Sequence, residues 1–344
     1  MSDSITLSNR PRGGLMASLP QRSVFVLAAV AAAVGIFLPG LVSSVLLLSL
    51  MTQAVIGAIT ATGVGLLFRQ NGVVSFGHAA FYGSAAYIIG LSMRYGLLPA
   101  ELAIIAALVL PPLLAFLLGL VIVRIPGVAF AMLTLAVGQA IYEFALKARH
   151  ITVGDDGFAV NFPAQVFGIS VRTFQHPSSM FLICWMLLIV ILLALQVFAN
   201  SPLGRLTVAI RENEERARFI GYRTVVPRAF VYALSAFVAS IAGVMAVLYN
   251  GFVSPDMLHW SLSGSVLIMA IIGGPKYLWG PALGAVVFFF IKDFTGNLTE
   301  HWPAIIGMIV IITTLMLPEG LAGALARLAR AVRRRGNATG EAAQ

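Results

Sequence analysis

Polar side chains are scarce enough in this chain to be weighed one by one: of 344 residues, 59% are hydrophobic and 10% are charged. The densest charge lies in "SPLGRLTVAIRENEERARFIGYRTVVPR", residues 201–228. There Arg205, Arg211, Arg216, Arg218, Arg223 and Arg228 are interleaved with Glu212, Glu214 and Glu215. Ser201 is a good helix N-cap, Pro202 suits the first turn, and Gly221 can end a helix in the left-handed conformation. The spacing predicts one helix over 203–220 with its charges spread around a wet surface. Such a helix is either a solvated loop or a docking element for a partner. In the second case Arg205, Arg211, Glu212, Glu214, Glu215, Arg218 and Gly221 would carry the contact.

His78, in "SFGHAAFYG", is the other outlier. An ionisable residue inside an apolar run is by default a candidate for function. Tyr82 follows four residues later and shares its helical face. A neutral histidine satisfied by a hydroxyl or carbonyl would fix packing, and a place on a pathway or gate is the alternative. Metal ligation lacks a second His or Cys at suitable spacing. Small residues surround it: Ser75, Ala79, Gly83 and Tyr87 are expected on one helical face, and Gly280 and Gly284 repeat the four-residue spacing. Small residues let membrane helices approach closely. Ser75, Gly77, His78, Tyr82, Gly83, Gly273, Gly274 and Gly280 are therefore candidate pathway or packing residues.

Catalytic signatures are missing. There is no nucleophile elbow, no paired catalytic carboxylates and no H-E-x-x-H. A lone cysteine, Cys184, cannot form an intrachain disulfide. A phosphate-binding loop needs G-x-x-x-x-G-K-[ST], and none of Lys147, Lys276 and Lys292 follows a glycine. The chain is thus expected to hold no cofactor and to catalyse nothing itself. Glu143 and Lys147, four apart, read as a boundary ion pair.

These residues must be positioned by helices in lipid. Ten apolar segments recur, roughly 23–39, 41–67, 76–93, 98–123, 127–146, 178–199, 229–249, 262–275, 279–294 and 303–320. Several reach the ~20 residues that cross ~30 Å of hydrocarbon. The two near 262–294 are short enough to be a re-entrant pair, which leaves eight full spans. The fold expected is an all-α polytopic membrane protein. Of 22 Lys and Arg residues, only Arg94, Lys147, Arg149, Arg172 and Lys292 fall outside when both termini are placed inside. Basic residues collect on the cytoplasmic side, so that orientation is preferred. The net charge of +9 then reflects a membrane protein rather than a nucleic-acid binder. This gives a cytoplasmic N-terminal tail over 1–22, a membrane domain over 23–323, and a basic cytoplasmic tail over 324–344. Residues 200–228 form the main inner loop and 147–177 an ordered exterior loop.

The charged island resembles the cytoplasmic coupling loop of ABC importer permeases of the branched-chain amino acid type, the LivM-like family. "NGVVSFGHAAFYGSAAY" (71–87), "IPGVAFAMLTLAVGQ" (125–139), "SPDMLHWSLSGSVLIMAIIGGPKYLWGPALGA" (254–285) and "LPEGLAG" (317–323) resemble the same family in the same order. "TVGDDGF" (152–158) looks like its exterior glycine motif. The likeness covers about residues 40–323. It departs at Ser265, where an acidic residue is common, and at Pro275 and Lys276. The resemblance implies a non-catalytic permease subunit in a bacterial inner membrane, passing small amino acids. It implies cytoplasmic ATP-binding subunits as the motor, a second permease subunit, and an exterior substrate-binding protein. A permease of the same kind for another small solute (urea, amides, aromatic carboxylates or sugars) is the nearest alternative, and a self-contained secondary transporter the next. Apolar interiors nearly free of carboxylates speak against proton-driven transport.

Overall fold

A computed structural model describes residues 21–42 and 44–328, with side chains from residue 28 onward. The expected tails lie almost wholly outside these residues. Helices dominate. In chain order they are α1 (Gln21–Leu41), α2 (Val45–Asn71), α3 (His78–Tyr95), α4 (Ala100–Ile122), α5 (Val128–Lys147), α6 (Arg149–Thr152), α7 (Val171–Gln175), α8 (Pro177–Asn200), α9 (Pro202–Glu212), α10 (Glu214–Phe219), α11 (Val225–Asn250), α12 (Trp260–Gly273), α13 (Gly280–Gly296) and α14 (Trp302–Met316). A last helix, α15 (Gly320–Leu328), follows α14 at a bend of 46°.

Each of the ten apolar segments is a helix, but they are not equivalent. Among the described residues α2, α4, α5, α8 and α11 are long and apolar enough to cross a membrane alone, and α14 with α15 makes a sixth if the bent pair is one span. Of the eight full spans expected, the two outside this set are α1, whose described side chains begin at Ala28, and α3. The helix α3 runs for 18 residues but is rich in Ala, Gly and Ser and ends at Arg94 and Tyr95. The pair expected to be short is so: α12 has 14 residues, and α13 carries Lys292 and Asp293 in its last turns.

At the centre stands α11, with 78% of its apolar window buried, packed against α2, α3 and α4. It is lined with Ala, Ser and Gly. Adding a Cβ to Gly243 would overlap the carbonyl of Tyr82, so α11 and α3 cross at backbone contact. By contrast α5 buries only 22% of its window, and α4 turns Leu102, Ile105, Val109, Leu113 and Leu117 outward. Those faces suit lipid or another membrane subunit. Hydroxyls inside the bundle satisfy themselves: Thr52 and Thr62 donate to the carbonyls one turn back, Leu48 and Ala58, at 2.8 and 2.7 Å.

The connections gather at two ends. At one, β1 (Phe158–Ala159) pairs antiparallel with β4 (Phe252–Val253), and β2 (Gln165–Val166) with β3 (Ile169–Ser170). There also Tyr95 donates to the carbonyls of His150 and Ile151 at 3.1 and 3.0 Å. At the other end, α9 lies against the tail of α2, and Lys276 pairs with Glu319 at 3.2 Å.

Candidate functional site

The charged island is two helices, not the single helix expected over 203–220. Asn213 breaks it with extended backbone, φ −157° and ψ 97°. Its side chain accepts from the Arg216 N–H at 2.8 Å, and Glu214 and Glu215 fill the first turn that follows. An asparagine before two acids is a helix-start signal, and it wins here over continued helix propensity. At the front of the island the Ser201 cap forms as expected, accepting from Gly204 N at 3.1 Å. At its back Gly221 takes φ +91°.

Glu214 is the junction of this unit. One carboxylate oxygen accepts from Arg218 at 2.7 Å and from Thr224 at 2.8 Å, and the other from Arg228 at 2.9 Å. The Arg228 side chain is only 9% exposed, and its backbone carbonyl accepts from the Asn71 amide at 2.9 Å. Burial pushes the Glu214 carboxyl upward, but the hydrogen bonds from Thr224 and Arg218 and the charge of Arg228 outweigh this and hold it below the usual range. Arg211 reaches the carbonyl of Arg69, and Thr207 donates to Gln70 at 3.0 Å in a buried setting. Glu214, half-buried, is therefore turned to the root of α11, and Arg211, though exposed, is tied to the end of α2. Arg205, Glu212 and Glu215 are exposed, as is Arg218, which is already paired with Glu214.

Charge directed attention away from the tip. Phe219, Ile220 and Tyr222 are 89%, 69% and 52% exposed, side by side at the positive-φ turn of Gly221. Large apolar side chains projecting beyond a charged helix mark an interaction site. Their signal in the sequence was a hydrophobic triplet interrupted only by glycine.

The histidine cluster sits in mid-bundle. The helix α3 begins at His78, so Ser75 precedes it and is not on the helical face with Ala79, Gly83 and Tyr87 that the spacing suggested. Ser75 instead accepts from the Gly77 N–H at 3.2 Å. His78 is fully buried, with Nε2 2.6 Å from Ser235 Oγ, and that hydroxyl donates to the Gly63 carbonyl at 2.6 Å. With the serine proton so committed, His78 Nε2–H must be the donor. The chain of bonds ties α3, α11 and α2 together, and Phe81 and Tyr232 meet the imidazole edge-on at 6.2 and 6.4 Å. These contacts are the ones the packing alternative for His78 requires. Among the described residues no group of His, Cys, Asp and Glu could hold a metal ion.

Gly83 abuts the turn Pro255–Leu258: a Cβ there would lie 2.8 Å from the Met257 carbonyl and against Leu258. Gly273, Gly274 and Gly280 form one close contact with Gly284 and Gly320, where α12, α13 and α15 meet backbone to backbone. Gly274 and Gly320 take φ +94° and +67°, a conformation glycine adopts without a steric penalty.

Tyr82 takes another role, on the wall of a cavity of about 550 Å³ between α2, α3, α11, α12, α13 and α14. Thr60 and Tyr82 lie deep on its lining, Ser261 and Ser265 line α12, and Lys292 and Trp302 stand toward the end that carries β1 and β4. Glu143 and Lys147 pair at 3.2 Å on the exposed end of α5, as their spacing suggested.

Residues 46–317 match the family model described as branched-chain amino acid transport system / permease component. The high-affinity branched-chain amino acid transport system permease protein LivM of Salmonella typhimurium is 24% identical over 290 residues, covering 78% of this chain and 68% of the relative. The ribose import permease protein RbsC of Haemophilus influenzae is 23% identical over 312 residues, 87% of this chain and 92% of its own. The autoinducer 2 import system permease protein LsrC of Photorhabdus laumondii is 23% identical over 261 residues, 73% of this chain and 74% of its own. No solved structure matches the chain.

Proposed function

Because the chain belongs to the branched-chain amino acid transport system permease family, we propose that it is the membrane-spanning subunit of a bacterial ABC importer for branched-chain or other small amino acids. The match over residues 46–317 carries this reading. LivM is 24% identical and RbsC and LsrC are each 23%, with RbsC covering more of this chain, so amino acids are proposed on the family description and a sugar-like solute is the alternative.

The geometry supports the division of labour. The island is anchored on α2 and α11 through Arg211, Thr207 and Glu214, and it presents Phe219, Ile220 and Tyr222 outward. A subunit that gripped this tip would pull on the central helix of the bundle. The proposed grip belongs to cytoplasmic ATP-binding subunits, with ATP bound on them and not on this chain. A second, related permease subunit would cover exposed apolar faces of the bundle, and a periplasmic binding protein would dock on the 147–177 loop. Driving transport this way requires the ATPase to bind the two packings of the bundle differently.

The test is purification of the chain co-expressed with its candidate partners. Recovery of an ATP-binding subunit, together with ATP hydrolysis that rises on adding loaded binding protein, is expected. Uptake of leucine by the chain alone, reconstituted without other subunits, would overturn the proposal.

A further inference from the structure

The cavity between α2, α12, α13 and α14 has an unbalanced lining. Its walls are apolar at Ile56, Val266, Met269 and Phe288, hydroxyls stand at Thr60, Tyr82, Ser261 and Ser265, and the neutral amides of Gln53 and Asn250 add polar groups without charge. Lys292 is the charged residue on the lining, and none of the lining residues is acidic. Among the described residues Lys292 forms no salt bridge; its Nζ stands 5.2 Å over the ring of Trp302, which shares the lining. Lys292 is exposed near the end of α13, its stem at the mouth of the cavity and its charge in reach of water. A cation resting on an indole face keeps its charge and holds its position. Ser265 donates its proton to the Ser261 carbonyl at 2.9 Å, so its remaining lone pair can accept but it offers no free proton.

We propose that this cavity is an anion-selective vestibule that receives the carboxylate of the solute at Lys292, with the apolar body of the solute against Ile56, Met269 and Phe288. The proposal rests on the permease reading and deepens it: the group sensed is the carboxylate. No charged partner awaits an ammonium group, so the class admitted is small carboxylates with an apolar body, whether or not they bear an amine. Discrimination by the amine would then belong to another component of the importer. A cleft with one sign of charge and low-dielectric walls concentrates the opposite ion and steers its entry.

A thiol reporter tests this without relying on transport. Ser265→Cys, on a Cys184→Ser background, is purified in complex with its partner subunits in lipid nanodiscs and treated with anionic or cationic methanethiosulfonate reagents. Rates are normalised to the same reagents acting on a free thiol. The anionic reagent should react faster by roughly tenfold, the lower end of electrostatic focusing in clefts. Lys292→Met should erase that preference and Lys292→Arg should keep it. Leucine and isocaproate should slow labelling, whereas isopentylamine should not. A preference for the cationic reagent, a ratio unchanged by Lys292→Met, or equal protection by isopentylamine would overturn the vestibule. Should Lys292→Met fail to assemble, the reagent ratio and the ligand protection measured with Lys292 intact decide alone. An anion-selective cavity in a chain that imports no amino acid with its partners would sink the amino acid reading and leave the vestibule standing.

Discussion

Ser235 holds together what His78 begins. Its hydroxyl accepts from the imidazole and donates to Gly63, so one atom links three helices. Ser235→Ala would leave a buried N–H and a buried carbonyl without that partner, at a cost of about 1–3 kcal/mol. The thermal midpoint in detergent should fall accordingly, and His78→Gln, which keeps a donor amide, should fall less and retain much of the transport. Transport abolished by His78→Gln with assembly intact would instead put the imidazole on the pathway. Glu214 makes a second residue-scale case, with a pH signature. Its folded carboxyl is held below the ordinary value, so its contribution is present above that value and is lost as pH falls through the depressed folded one. The stability difference between the native chain and Glu214→Gln should therefore be full near about pH 7 and shrink toward about pH 3. A difference independent of pH would mean that the Arg218, Thr224 and Arg228 contacts hold the island without the charge. Both residues stood out in the sequence by type. Arg228 stood out as one charge of the same island, but Ser235, Gly63 and Thr224 did not, because their contacts depend on how the helices cross.

Helices were legible where polarity alternates with long apolar runs, and less so where glycine sets the geometry. The ten apolar segments all became helices, yet the break at Asn213 was hidden because a capping asparagine inside a charge-rich run looks like one more polar residue. The start of α3 at His78 was hidden likewise, since "NGVVSFG" has no proline to mark a break. The glycine contact among α12, α13 and α15 was visible only as composition. It makes a sharp prediction. A Cβ on Gly273 would overlap the Gly280 carbonyl, whereas one on Gly307 would meet nothing within 4 Å. Gly273→Ala should destabilise by about 1–3 kcal/mol as an overpacked contact. Gly307→Ala, in the open middle of α14, should be neutral or stabilising by up to about 1 kcal/mol. Thermal melts of the two variants compare them directly, and equal midpoints would remove the claim that this crossing is sterically closed.

At the scale of the whole molecule, positive charge is a guide to orientation because the bias acts on every connection at once. It could not foretell the tip of the island, where the exposed groups are apolar. Phe219, Ile220 and Tyr222 project from a unit braced on α2 and α11, and that pairing of a greasy tip with a rigid base is what a force-bearing contact needs. Burying a large apolar side chain contributes about 1.5–3 kcal/mol, so two such residues outweigh the exposed Arg and Glu around them, whose pairs are each worth at most about 1 kcal/mol. Phe219→Glu with Ile220→Glu should therefore strip the ATP-binding subunits from the purified complex, while Arg205→Gln with Glu212→Gln should weaken them only modestly and in a salt-dependent way. None of the four side chains supports the island itself, so the melting temperature of the isolated permease should be unchanged in both variants. Co-purification and ATPase assays, run beside that melt, read the difference. If the double glutamate variant keeps its ATPase and transports normally, the tip is an ordinary exposed turn and force must enter the bundle elsewhere.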